Sequence, residues 1–244
     1  MKVPSKITPD RIRDSIVQVF FQSGIPFEPL IGIIYSALTK AGWKYANRPN
    51  QSQLQKGLII EFASTQQHFF IKDQIRLELF SNQSIAFNCN NNYIGWDSYS
   101  KYIREVFDAL YAAGHFKNFS RVGIRYISEF SNIDILEKIN FKVSSPDVEG
   151  TISNSSYRFT FQEKDVLKTI NIASKLPVNA LLAEANEPVK FVSLIDVDIV
   201  QANLNCQKID ELFSTIDSLH IVEKKIFFGM LSDEYLQTLN PEYA

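Results

Sequence analysis

The feature that most constrains this chain is an alternation of period two that recurs in one segment after another. Between Arg121 and Phe130, Arg121, Gly123, Arg125, Ile127 and Glu129 fall on one side of an extended backbone, while Val122, Ile124, Tyr126 and Phe130 fall mostly on the other. The same pattern sets Arg76 and Glu78 against Ile75, Leu77 and Leu79. It also sets Arg158, Thr160 and Gln162 against Tyr157, Phe159 and Phe161. Strands of this kind build an antiparallel sheet with one apolar face for a layer of helices and one mixed-charge polar face.

The helices that would cover the apolar face are also readable. Past Pro26, residues Phe27, Leu30, Ile31, Ile34, Tyr35 and Leu38 recur at helical spacing. Asp97 to Ala112 carries Tyr99, Tyr102, Ile103, Val106, Phe107, Leu110 and Tyr111 on one stripe, with Gly114 placed to end it. A long final helix runs from Ile209 through Leu231, its apolar stripe interrupted only by Glu223. Predicted strands in the first half are Ser15–Phe21, Gly57–Ala63, His68–Lys72, Gln74–Phe80 and Ser84–Asn90. In the second half they are Arg121–Phe130, Ser156–Gln162, Val166–Ala173 and Lys190–Gln201, with Ile133–Ile139 as a short helix and Val143–Ser156 as a connecting loop. Each half therefore reads strand, helix, several antiparallel strands, helix. The expected fold is α+β: a curved antiparallel sheet with helices on one face. Its two repeated halves, 1–116 and 117–244, would share one continuous sheet as a single compact domain.

Composition narrows the function. With 45% hydrophobic and 21% charged residues among 244, the chain has the makings of an ordinary globular core. Twenty-five Lys and Arg against 27 Asp and Glu leave a net charge of −2, so no global field draws it to nucleic acid or anionic lipid. Its two cysteines, Cys89 and Cys206, lack CxxC spacing, which argues against a thiolate zinc site and against a disulfide framework. The first residues lack the apolar stretch of a signal peptide, and the longest apolar run, Leu30 to Leu38, is too short to span a bilayer. A cytoplasmic location is expected, with no membrane partner.

The strand Ser120-Arg-Val-Gly-Ile-Arg-Tyr-Ile-Ser128, the segment Leu194-Ile-Asp-Val-Asp-Ile199 and the closing Phe227-Phe-Gly-Met-Leu-Ser-Asp-Glu-Tyr-Leu-Gln-Thr-Leu-Asn240 carry a resemblance. Together with the opening strand and Pro26-Phe-Glu-Pro29, they make the chain similar over nearly its whole length to a sporadically distributed, uncharacterised bacterial family. The Gly-Ile-Arg-Tyr strand is the most specific signature. Members tend to follow it with a hydrophobic residue and then Asn, where this chain has Ser128. The resemblance implies bacterial origin, a shared fold and an association with mobile-element or defence neighbourhoods; it implies no mechanism.

Candidate chemistry is sparse. None of the nine glycines forms GxGxxG or GxxxxGK[ST], so the backbone cradle for a dinucleotide or triphosphate is missing, and no cofactor is expected. HExxH, kinase and GxSxG signatures are absent, and His68, His115 and His220 are far apart. His220 lies on the apolar stripe of the last helix and reads as a core histidine, while His115 follows Gly114 and reads as a helix-end group. Trp43, Trp96, Tyr93 and Tyr99 read as packing rather than base-stacking residues.

Two readings follow. In the first, the protein is a non-catalytic binding or regulatory protein whose polar sheet face receives a protein partner or, less favoured by net charge, nucleic acid, with Arg76, Arg121, Arg125 and Arg158 as planar donors. In the second, Asp196 and Asp198, two apart on one strand face, anchor a divalent-metal-dependent nuclease or phosphodiesterase, with Glu61, Glu78 or Glu129 as a third acid.

Overall fold

The computed structural model describes residues 2–47, 68–142, 152–177 and 190–243. Within them the order of elements is β1 (Ile12–Ser23), α1 (Phe27–Lys40), β2 (Lys44–Asn47), β3 (His68–Lys72), β4 (Ile75–Phe80), β5 (Ser84–Asn90), α2 (Trp96–Ala112) and β6 (Phe116–Ser131). A 3₁₀ turn at Ile135–Glu137 follows, then β7 (Ser155–Glu163), β8 (Val166–Pro177), β9 (Phe191–Gln201), α3 (Ile209–Met230) and α4 (Asp233–Thr238). The fold is α+β. Its nine described strands form one antiparallel sheet in the order β2-β3-β4-β5-β1-β6-β9-β8-β7. In both halves of the chain the first strand lies innermost, the last strand beside it, and the earlier strands successively further out.

The chain divides into two compact units that do not follow a single cut. One comprises Met1–Ser15, Ile124–Gln201 and Asp217–Ala244, the other Ile16–Gly123 and Ala202–Ile216. In the second unit the apolar stripes of α1 and α2 bury Leu30, Ile34 and Leu38, and Tyr99, Ile103, Val106, Phe107 and Leu110. Tyr99 donates from its hydroxyl to the Phe87 carbonyl at 2.7 Å, and Phe107 packs on Phe87, Phe119 and Phe213. Gly114, at φ 76°, takes the left-handed conformation that ends α2 where the sequence places it. In the first unit, Tyr126 and Phe130 of β6 meet His220 of α3 and Tyr235 of α4. The helices of this first unit thus pack on the face carrying Ile124, Tyr126 and Phe130, all buried.

Some local features depart from the sequence reading. Tyr35 and Tyr111, expected on apolar stripes, are exposed at the stripe margins. Ile133–Ile139 shortens to the 3₁₀ turn, started by Asp134, whose carboxylate accepts from the Leu136 N–H. Helix α4 follows a break at Ser232, whose hydroxyl accepts from the Tyr235 N–H and restarts the helix. The predicted strand Gly57–Ala63 and most of the loop Val143–Ser156 lie outside the described residues. Among the described helices none is long and apolar enough to cross a membrane.

Candidate functional site

In the first unit the polar face of the sheet is a set of cross-strand rows. Arg158 on β7 opposes Asn171 on β8, which opposes Asp196 on β9; one step along, Thr160 opposes Thr169, which opposes Asp198. Arg125 reaches the first row from β6. Its Nε and one terminal nitrogen each donate to a different Asp196 oxygen at 2.8 Å, and Asn171 Nδ2 donates to Oδ2 at 2.9 Å. Asp196 is buried, and its two oxygens accept three hydrogen bonds. The bond from Asp196 holds the Arg125 guanidinium above its usual pKa against the opposing effect of burial, with Asp196, Asp198 and Asp14 adding charge attraction. A bidentate arginine–carboxylate pair in this position is stiff and directional.

Arg158 stands differently. It is exposed and makes no hydrogen bond or ion pair among the described residues, so its five donors face outward beside Thr160 and Gln162, which are also exposed. Elsewhere in this unit Glu129 accepts from Arg13 at 2.7 Å. Asp196 and Asp198 share a face as predicted, but Asp196 is spent on Arg125 and Asn171. Among the described residues no group of three His, Cys, Asp or Glu is placed to hold a metal ion. Glu61 lies outside the described residues.

In the second unit the corresponding face is less polar than the alternation predicts. Glu78 has Phe69 and Ala86 as its register partners, all three buried, and its carboxylate takes Arg76 at 2.5 Å and the Asn88 amide at 3.4 Å. Arg76 also lies over the Phe69 ring at 5.7 Å, and Arg121, exposed, lies over the Phe20 ring at 5.0 Å. The four arginines named from sequence therefore have different roles. Arg76 and Arg125 are committed to internal carboxylates, Arg121 is stacked, and Arg158 is open. Asn88, in the strand predicted over Ser84–Asn90, lies inside this cluster opposite Arg76. Its parity with Arg76 across the β4–β5 hairpin was the available signal.

His220 lies in the core, as its place on the apolar stripe predicts. His220 is buried against Tyr126, their ring centroids 5.6 Å apart, and burial pushes its imidazole down to about 3. His68 shares a hydrogen bond with the Tyr45 hydroxyl at 2.9 Å, and burial lowers its pKa. Glu223, the interruption in the apolar stripe of the last helix, belongs to the same buried surface. It is 4% exposed one helical turn beyond His220, and burial pushes its carboxyl up to about 8. Both cysteines are free and buried, and burial raises the Cys206 thiol. No family model matches the chain, and no curated protein matches it.

Proposed function

We propose that this is a non-catalytic binding protein of the bacterial cytoplasm that engages a protein partner through the polar sheet face of its first unit, in a defence or mobile-element setting. The observation that carries this reading is Arg158. It is an exposed guanidinium with no hydrogen-bond or ion-pair partner among the described residues, set at the end of a row whose other members, Asn171, Asp196 and Arg125, are locked to one another. A locked row ending in one exposed guanidinium makes a rigid platform with a cationic anchor, an arrangement suited to a carboxylate or backbone carbonyl on another protein. The face carries Asp196, Asp198 and Glu129 together with Arg125, Arg158 and the Arg13 that pairs with Glu129. Such a balance offers little net attraction to a polyphosphate backbone, which favours a protein over a nucleic acid.

The test is co-purification from the native cytoplasm, with mass spectrometry and an absorbance ratio read on the same eluate. The expected result is a stoichiometric protein that is lost from an Arg158→Glu variant with unchanged melting temperature. Nucleic acid in the eluate, or retention of the protein by the folded variant, would overturn the reading.

A further inference from the structure

The two outermost described strands of the sheet are built differently. Strand β2 is four residues long and begins with Lys44, a short edge of the kind that discourages further pairing. Strand β7 has nine residues and pairs with β8 in unbroken register from Ser155↔Ser174 to Glu163↔Val166. It contains no Pro, Gly or Lys and no bulge, and it has no second strand neighbour among the described residues. Its exposure rises along its length. Arg158 and every residue from Thr160 to Glu163 are exposed, Phe161 at 54%. Phe141 packs against Tyr157 and Phe159, with centroids 6.0 and 4.8 Å apart, whereas Phe161 borders an open, mainly apolar groove of about 510 Å³ between Lys168 and Ile170 of β8 and Val222, Lys225 and Ile226 of α3.

We infer that β7 is a dimerisation edge: it pairs antiparallel with β7 of a second copy of this chain about a two-fold axis perpendicular to the sheet. Such an axis maps each face onto itself, so directly opposed residues share parity. Centring the axis on Phe159 pairs all nine residues. Phe159 then opposes its own counterpart, Tyr157 opposes Phe161 of the partner subunit, and Arg158 opposes Thr160 of the partner subunit. Aromatic cross-strand pairs stabilise a sheet, and no like charges meet, because the strand's two charges, Arg158 and Glu163, face Thr160 and Ser155. The tyrosine of each copy also arrives beside the groove that Phe161 of the other borders. A second copy is the occupant because this strand supplies its own complement on both faces. The contact is a single strand pair, at the small end of interface sizes, so the dimer is weak and concentration-dependent. The inference rests on the backbone edge of β7 and is independent of the partner reading for the polar face.

Sedimentation equilibrium of the full chain over a micromolar concentration series tests it. The mass should rise from 27.9 kDa toward twice that value. Thr160→Lys and Phe161→Asp, both at exposed positions, should each raise the dissociation constant at least about ten-fold with an unchanged circular dichroism spectrum. Mild oxidation should cross-link the double variant Arg158→Cys, Thr160→Cys and neither single variant. A chain that stays monomeric at the highest concentration, or a dimer whose constant neither charged variant moves, would overturn the inference.

Discussion

Replacing Glu223 with Gln should stabilise the protein, and increasingly so as pH rises. The carboxyl is buried in the apolar stripe of α3, where burial lifts it from 4.5 to about 8. Between those values the folded chain holds a proton that the unfolded chain has released, so stability falls by about 1.4 kcal/mol per pH unit as pH rises through the window. His220 acts with the opposite sign. Burial lowers it from 6.5 to about 3, so between those values the unfolded chain binds the extra proton and stability grows with pH. From 4.5 to 6.5 the two slopes cancel. What remains is a plateau, with an acid limb below 4.5 set by His220 and an alkaline limb from 6.5 to 8 set by Glu223. The alkaline limb amounts to about 2 kcal/mol, or roughly 4–8 °C in melting temperature for a chain of this size. Glutamine has nearly the same volume and no proton to lose, so Glu223→Gln should abolish the alkaline limb and extend the acid limb, set by His220 alone, up to pH 6.5. Urea unfolding of both proteins at pH 5, 6.5 and 8 measures it, reading only the difference, because every other titrating group is common to the two. Parallel pH profiles would refute the reasoning.

The Arg125–Asp196–Asn171 cluster should behave as structure: Asp196→Asn leaves a partly buried guanidinium unpaired and should cost about 2–3 kcal/mol in denaturant unfolding. Arg158→Glu, at an exposed position without a partner among the described residues, should change stability by less than about 0.5 kcal/mol in the same assay. Tyr99→Phe removes the buried hydroxyl that satisfies the Phe87 carbonyl and should cost about 1–2 kcal/mol, with a melting-temperature drop as the readout.

Sequence reasoning found the strands and helices well because the physics that sets them is periodic and local. Val122, Ile124, Tyr126 and Phe130 are buried as their alternation requires, and the stripe of α2 buries its central residues while Tyr111, at its edge, stays exposed. The site was harder to read, since parity assigns a residue to a face but does not say what its cross-strand neighbours do there. Arg76 and Arg125 look as available as Arg158 in one dimension. Glu78, two residues on in the same strand, is a partner that parity does offer Arg76, whereas only the sheet order that brings β9 beside β6 shows that Arg125 is occupied by Asp196. Buried Glu78 shows the same limit. Its neighbours Phe69 and Ala86 come from other strands, and no local pattern around it signals that this stretch of the polar face is closed to water.

This division of labour among the arginines bears on how binding should respond to salt. A nucleic-acid reader engages several phosphates at once, and each engaged phosphate adds about 0.9 to the slope of log affinity against log salt on duplex DNA. Here Arg125 cannot turn to an outside anion without abandoning the buried Asp196, and Arg76 is held by Glu78 in the same way. Among the described residues of the first unit's face that leaves Arg158 as the guanidinium open to a partner, and an exposed single ion pair is worth at most about 1 kcal/mol before screening. Affinity for the partner should therefore come mainly from shape and buried area, and it should weaken only slightly with added salt, with a slope magnitude near or below about 1. A titration series across ionic strengths reads this directly. A steep slope, equivalent to several neutralised phosphates, would show that the internal ion pairs open on binding, and the rigid-platform reading would fail with it.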